Sequence, residues 1–331
     1  MKFRTEIQIE KSPYLIEHYN SIATIGSCFA ENIAQYLAKF RFKILNNPFG
    51  ILYNPVSIYN ALSLIQSEKK FTKDDLIQHD DLWHSWYHHS NFSHPNIDQC
   101  LLGINEQLNK ARTFFNNCNF LIVTYGTAYV FEFIESGIIV SNCHKIPSNR
   151  FKRFRMTVQD IENNISKFIK LAKALNPSIK IIFSVSPIRH LKDGMVENQL
   201  SKSSLLMALH HTIRQNDSCF YFPAYEIMID DLRDYRFYES NLTHPSQMAI
   251  EYIWNKFSDT WLSEDCKSTI KDIDRLNKAR LHKPLFTGSR KEQVFLKNQL
   301  KAINELKKKY PYIDFSEDRN YFNASLNKNI D

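Results

Sequence analysis

Four runs along the chain are apolar almost without interruption, at 22–25, 120–125, 179–185 and 219–222. Each is short and partly β-branched, and none alternates apolar with polar residues. A strand covered on both faces needs that pattern, because both of its side-chain rows are buried. Between the runs the apolar spacing changes to three or four. Phe29, Ile33, Leu37 and Phe40 follow the first run at that spacing. Ile161, Ile165, Phe168, Ala172 and Leu175 precede the third, where Asn176-Pro177 stops the helix. Leu205, Leu209 and Ile213 lead into the fourth run, and Met248, Tyr252, Ile253 and Phe257 predict a late helix. Alternating strands and helices predict an α/β fold with a doubly wound parallel sheet. Ligands of such sheets sit outside the carboxyl ends of the strands.

Two stretches depart from the alternation. Residues 46–117 form a long insertion that carries NNPFGILYNP and DDLWHSWYHHSNFSH, both aromatic and loop-like. Insertions of that length are functional or packed by their own side chains. From residue 263 the chain becomes charged and helical in pattern, as EDCKSTIKDIDRLNKAR and RKEQVFLKNQLKAINELKKKY, joined by HKPLFTGS. The expected division is therefore 1–260 for the α/β domain and 261–331 for a C-terminal helical extension. Lys307-Lys308-Lys309 reads as the solvated face of the last of these helices.

Composition narrows the function classes. A length of 331 residues with 43% hydrophobic and 23% charged residues permits one large domain with a sizeable core. Only seven glycines occur, and neither G-x-G-x-x-G nor G-x-x-x-x-G-K-[ST] is present, which argues against a glycine-rich phosphate loop. The net charge of +7 is mild and not gathered on a known module, so no nucleic-acid partner is expected. The start, MKFRTEIQIEKSPYL, lacks the apolar run of about 7–15 residues of a signal peptide. No apolar run of about 18 residues occurs elsewhere, so no membrane partner is expected. The six cysteines are scattered with no C-x-x-C, which suits reduced thiols and a cytoplasmic location. Nothing in the chain fixes an oligomeric state.

Four polar stretches fall at the expected carboxyl edge. Gly26-Ser27-Cys28 leaves the first strand and Thr124-Tyr125-Gly126-Thr127 the second. Ser184-Val185-Ser186-Pro187-Ile188-Arg189-His190 leaves the third, and Asn241-Leu242-Thr243-His244-Pro245-Ser246 precedes the late helix. A parallel sheet collects a nucleophile candidate and a histidine there, the pairing that acyl transfer needs. Both ends also have a structural reading. Gly26 suits a tight turn, Ser27 an N-cap and Cys28 a filler, while Pro245 suits the first turn of a helix.

The chain resembles the GSCFA-domain family, whose motif stands at Gly26–Ala30. The resemblance extends through NPFGILYNP at 47–55, VTYGTAYVFE at 123–132, NCHKIP at 142–147, SVSPIRHLKDG at 184–194 and THPSQMAIEYIW at 243–254. It covers residues 5–260 and links the chain to the SGNH/GDSL hydrolase-like group. That resemblance implies a three-layer flavodoxin-like sandwich. It also implies ester hydrolysis or acyl transfer on an O-acyl group, with a small molecule or glycan ester as substrate and no cofactor. The group's first block, Gly-Asp-Ser, falls on Gly26, Ser27 and Cys28. Its last, Asp-x-x-His-Pro, places Asn241 at the acid position and His244 at the base. The two departures suit each other: a thiol is more acidic than a hydroxyl, helix N-termini favour the anion, and Cys–His pairs work with an amide orienter. Cys28 is thus the nucleophile candidate, with Ser27 as its rival. For the oxyanion, the second block points to Gly50, and the third, Gly-x-Asn, falls on Gly126-Thr127-Ala128. The side-chain donor is missing at Ala128, with Asn47, Asn54 or Thr127 as substitutes. That gap favours the alternative of a decayed hydrolase that binds carbohydrate or a protein partner.

The remaining candidates are histidines and an arginine. His84 and His88 are four apart, but Ser85, Ser90, Asn91 and Pro95 argue against the helix a metal site would need there, so no metal is expected. His88 and His89 in that aromatic run suit either a substrate wall or plain packing. Cys143 and His144 are adjacent, so they point to opposite faces of an extended segment and form no dyad. His144 is left to face the site or to pack. Arg189 and His190 suit an anionic substrate group.

Overall fold

The structure, a computed structural model, describes residues 4–282, 285–286 and 288–327. In chain order the central elements are β1 (Ser21–Gly26), α1 (Cys28–Lys39), β2 (Lys43–Asn46) and α2 (Pro55–Gln66). A hairpin of β3 (Ile77–His79) and β4 (Leu82–His84) precedes α3 (Ile97–Phe115) and β5 (Phe120–Tyr125). Next come the antiparallel strands β6 (Tyr129–Phe133), β7 (Ile138–Val140) and β8 (Phe151–Arg155), then α4 (Val158–Leu175) and β9 (Lys180–Val185). The chain continues through α5 (Gly194–Ile213), β10 (Cys219–Tyr221), the short α6 (Ala224–Glu226) and α7 (Gln247–Trp261). It ends in α8 (Glu264–Leu281), α9 (Arg290–Lys309) and α10 (Ser316–Asn327).

The main sheet runs β2-β1-β5-β9-β10 with every pair parallel. This is the doubly wound flavodoxin-like order, whose switch point lies between β1 and β5. Successive side chains divide between two cores. Ala23, Ile25, Leu121, Val123, Ile181 and Phe183 face α2 to α5, while Ile22, Phe120, Ile122 and Ile182 face α1 and α7. The four expected strands are present, as are the helices carried by Phe29, Ile33 and Leu37 and by Ile161, Ile165 and Phe168. Asn176 caps the end of α4. In α7 the buried face is Ala249, Ile253, Trp254 and Phe257, and Met248 is 65% exposed, one step off the expected stripe.

Three features depart from the sequence pattern. β2 is an edge strand with a partly exposed KILN sequence, so it never forms an apolar run. The 46–117 insertion contains two core-forming helices, α2 and α3, besides its aromatic loops. Finally, β7-β6-β8 forms a small sheet after the end of β5. The aromatic loops join it through Trp86, which packs on Phe133 and Phe151.

The C-terminal helices share the core of the α1/α7 layer through Ile273, Leu276, Leu296, Ile303 and Phe322. Arg41 Nη2 reaches both carboxylate oxygens of the buried Asp318 at 2.8 Å, and Arg280 adds a contact at 3.3 Å. Lys307, Lys308 and Lys309 lie in the last turn of α9, with Lys309 paired to Asp272 at 2.8 Å. Of the HKPLFTGS joint, Lys283, Pro284 and Thr287 lie outside the described residues.

Candidate active site

At the switch point β1 turns directly into α1. Gly26 has φ +150°, and a Cβ there would sit 2.3 Å from the Thr124 carbonyl oxygen, so only glycine lets β1 end this close to β5. Ser27 follows as the N-cap. Its Oγ accepts from the Phe29 N–H at 3.3 Å, its own N–H donates to the Thr124 carbonyl at 3.0 Å, and it is 1% exposed. This corrects Ser27 as a nucleophile: its side chain caps α1 and does not reach the cavity. Cys28 is the first helical residue, half-buried, and lines a cavity of about 510 Å³ at the carboxyl edge of the sheet. Tyr53 lies beside it with its hydroxyl 3.7 Å from Sγ. Burial first, then the neighbouring Cys28, raises the Tyr53 pKa, so the phenol stays a donor.

His244 lines the same cavity, on the loop before α7. Asn241 Oδ1 accepts the N–H groups of Thr243 and His244 at 2.9 and 3.0 Å, an Asx turn that fixes the loop. The amide oxygen is therefore engaged, and Nδ2 is what approaches His244 Nδ1, at 3.0 Å. A carboxylate at the same place would accept Nδ1–H; an amide nitrogen cannot. Thr243 Oγ1, 3.1 Å from Nδ1, can accept, and its own hydrogen has Asn241 Oδ1 at 2.9 Å. Asn241 thus shapes the loop, and Thr243, which the sequence pattern did not mark, offers Nδ1 an acceptor in the tautomer whose Nε2 carries no proton. Arg189 holds the loop from the far side. Its N–H donates to the Thr243 carbonyl at 3.2 Å, its Nη2 to the Leu242 carbonyl at 2.5 Å, and it lies over the Tyr238 ring at 4.3 Å.

Several expected oxyanion donors are already occupied. The Gly50 N–H donates to the Asn47 carbonyl at 2.7 Å, and its Cα packs against His89, away from the cavity. The N–H groups of Gly126 and Thr127 both go to the Tyr53 carbonyl, at 2.7 and 3.0 Å. Thr127 lines the cavity, but its hydroxyl lies 3.1 Å from Ser201 Oγ and accepts the Tyr129 N–H. Ala128 is fully buried. Asn54 also lines the cavity, and its Oδ1 caps α2 by accepting the Ser57 N–H at 2.9 Å, leaving Nδ2 as a donor. Among the described residues no protein carbonyl takes the Cys28 N–H, the first orphan donor of α1.

The histidine-rich run packs instead of lining the site. His88 is 1% exposed, stacked on Phe49 with Nδ1 2.9 Å from Ser85 Oγ, and burial pushes its pKa down to about 3. His89 caps a short turn and covers Gly50. His144 is buried, with Nε2 2.9 Å from the Ser85 carbonyl and its ring on His84. Burial lowers its pKa to about 4. His88, His89 and His144 are therefore corrected as substrate contacts: none is among the cavity's lining residues, aromatic rings pack on His88 and His144, and His89 Nδ1 accepts the Asn91 N–H. Among the described residues no cluster of three His, Cys, Asp or Glu could hold a metal.

Further contributors escaped the sequence pattern. Tyr53 stands in the quoted NPFGILYNP but looks like another aromatic. Tyr129, Phe131 and Arg153 come from the small sheet and wall the cavity. Cys143 faces it too, and burial pushes its thiol up to about 11, leaving Cys28 as the better nucleophile candidate. Lys202, fully buried on α5, donates to the Gly126 carbonyl at 2.7 Å and the Ser186 carbonyl at 2.6 Å, tying the ends of β5 and β9 together. Burial alone lowers its pKa to about 7. His190 lines the cavity with Nε2 buried and unpartnered, its pKa lowered to about 3 by burial and then by Lys202, His244 and Arg153.

The GSCFA family model matches residues 21–257, which hold the whole of this site. The chain belongs to the GSCFA family. A second model, the C-terminal domain of GSCFA domain proteins, matches residues 273–328. This GSCFA chain is also similar in structure to an acetyl xylan esterase from the rumen bacterium Butyrivibrio proteoclasticus, with 11% identity and a TM-score of 0.38. That match covers 74% of this chain and 64% of the esterase, just under two thirds of its length. A carbohydrate esterase family 3 protein from Talaromyces cellulolyticus is similar at 9% identity and a TM-score of 0.32, over 76% of this chain and 99% of that one. No curated protein matches the chain. Among the described residues no helix is long and apolar enough to cross a membrane.

Proposed function

We propose that this GSCFA chain is an esterase or acyltransferase that works through Cys28 on an O-acyl substrate, a small molecule or glycan ester. The observation that carries the reading is the sharing of one cavity by Cys28, at the N-terminus of α1, and His244, with the Tyr53 hydroxyl 3.7 Å from the sulfur. His244 Nε2 takes the thiol proton while Nδ1–H donates to Thr243 Oγ1. The thiolate attacks the ester carbonyl carbon, and the carbonyl electron pair moves onto oxygen. The Cys28 N–H, Asn54 Nδ2 and Tyr53 O–H are the donors at hand for that oxyanion. On collapse the C–O bond breaks and the leaving alkoxy oxygen takes the proton from Nε2, leaving a thioester. Water or an acceptor hydroxyl then gives its proton to Nε2 and attacks the thioester, and the sulfur leaves and is reprotonated. No cofactor enters this scheme.

Two observations favour the second reading, a binding protein without turnover. Ala128 replaces an oxyanion side chain, and Asn241 turns a nitrogen toward Nδ1. Intact-mass measurement after exposure to an aryl acetate separates the readings. The first expects an acetyl adduct on Cys28 that is absent in Cys28→Ala and forms about 100-fold more slowly in His244→Ala. An adduct that persists in Cys28→Ala, or none on the parent protein, overturns it.

A further inference from the structure

The walls of the cavity carry positive charge and no carboxylate. Among the described residues Arg153, Arg189 and Lys192 line it, and no Asp or Glu does. Arg153 is ion-paired to Asp193 outside the lining. Among the described residues Arg189 and Lys192 have no carboxylate within ion-pair distance; Arg189 is held by a carbonyl and two tyrosine rings, and Lys192 lies 5.1 Å from the centre of the Phe131 ring. Both guanidinium groups keep a buried Nε–H without an acceptor. Buried donors are ordinarily satisfied, and cations that converge on a concave, partly apolar site whose lining holds no carboxylate gain from an anion. Arg153 stacks at 4.0 Å over Tyr129 and at 5.2 Å over Phe131, which gives the same wall a flat aromatic surface.

We infer that the cavity selects an anionic substrate, one that carries an oxyanion group (carboxylate, sulfate or phosphate) held on the Arg153–Arg189–Lys192 side while its acyl group faces Cys28. Only the placing of the acyl group at Cys28 rests on the acyl-transfer reading; the anion site stands on the charge and donors of the wall. Arginine suits bidentate contact with two oxygens of such a group, and Lys192 adds a point charge.

The test uses the full chain and two alkylating probes that differ only in charge, iodoacetate and iodoacetamide, with modification at Cys28 read by peptide mass mapping. The expected result is an iodoacetate-to-iodoacetamide rate ratio about tenfold above that of free cysteine in the same buffer, falling with added salt. In Lys192→Gln, at an exposed position, the ratio falls severalfold. A ratio equal to that of free cysteine, or one indifferent to salt and to Lys192→Gln, overturns the inference. A second arm compares a neutral aryl ester with one whose acyl chain ends in a carboxylate. Faster acylation of Cys28 by the charged ester supports the inference, and faster acylation by the neutral one overturns it while leaving acyl transfer intact. An iodoacetate preference with no acylation by either ester keeps the anion site and removes the acyl-transfer reading.

Discussion

At the residue scale the chemistry turns on one ring nitrogen. His244 Nδ1 faces an amide nitrogen that can only donate and a hydroxyl that can accept, at 3.0 and 3.1 Å. The first favours the neutral ring with its proton on Nε2, which is useless as a base toward Cys28; the second favours the opposite tautomer. Asn241→Asp should decide between them. One carboxylate oxygen keeps the Asx turn and the other replaces Nδ2, so Nδ1–H gains a charged acceptor. The expected outcome is faster acylation of Cys28. Thr243→Val should slow acylation without moving the fold. If Asn241→Asp leaves the rate unchanged, His244 does not act on the thiol. That Cys28 and His244 line one cavity was legible from two motifs more than 200 residues apart. The direction of the amide was not, because it depends on which backbone N–H groups the oxygen must satisfy once the loop is folded.

At the scale of elements the corner from β1 to α1 explains why neighbouring residues have different jobs. Gly26 allows the backbone to close on β5, Ser27 caps the helix, and Cys28 is the first side chain to clear the corner. Ser27→Ala should cost about 1 kcal/mol in denaturant unfolding and leave the reactivity of Cys28 intact. Gly26→Ala forces a Cβ into the Thr124 carbonyl and should cost about 2–4 kcal/mol, with the thiol displaced and its alkylation rate changed. Equal stability of Gly26→Ala and the parent would show that β1 and β5 do not meet this closely. The buried strands were readable because continuous apolar runs admit few other interpretations. β2 was not, since an edge strand buries too little for its sequence to show it. The histidine run left two readings open for a related reason: aromatic and polar residues together suit a binding wall as well as packing, and here Phe49 and Phe71 of the main core close on His88.

Across the whole molecule, one buried charge ties the sheet to the site. Lys202 hangs from α5 with no carboxylate at ion-pair distance among the described residues, and its nitrogen bridges the carbonyls at the ends of β5 and β9. A neutral amine still has two hydrogens for those two carbonyls, so the fold keeps both bonds when the proton is lost. The folded pKa of about 7 lies below the ordinary lysine value of 10.5. Below pH 7 both folded and unfolded chains carry the proton, and the native state bears the full cost of burying an ammonium. Between pH 7 and 10.5 the unfolded chain still binds that proton and the native one does not. Stability therefore rises with pH across this window, by about 1.4 kcal/mol per unit for the one proton. Lys202→Met has no such group. Denaturant unfolding from pH 7 to 10 should give a shallower rise for Lys202→Met than for the parent, so that the variant compares worst at the alkaline end, where only its two unpaired carbonyls count against it. Parallel slopes for the two proteins would mean that the amine stays charged in the native state, and that the ends of β5 and β9 are held by an ammonium whose field also reaches His190 and the cavity.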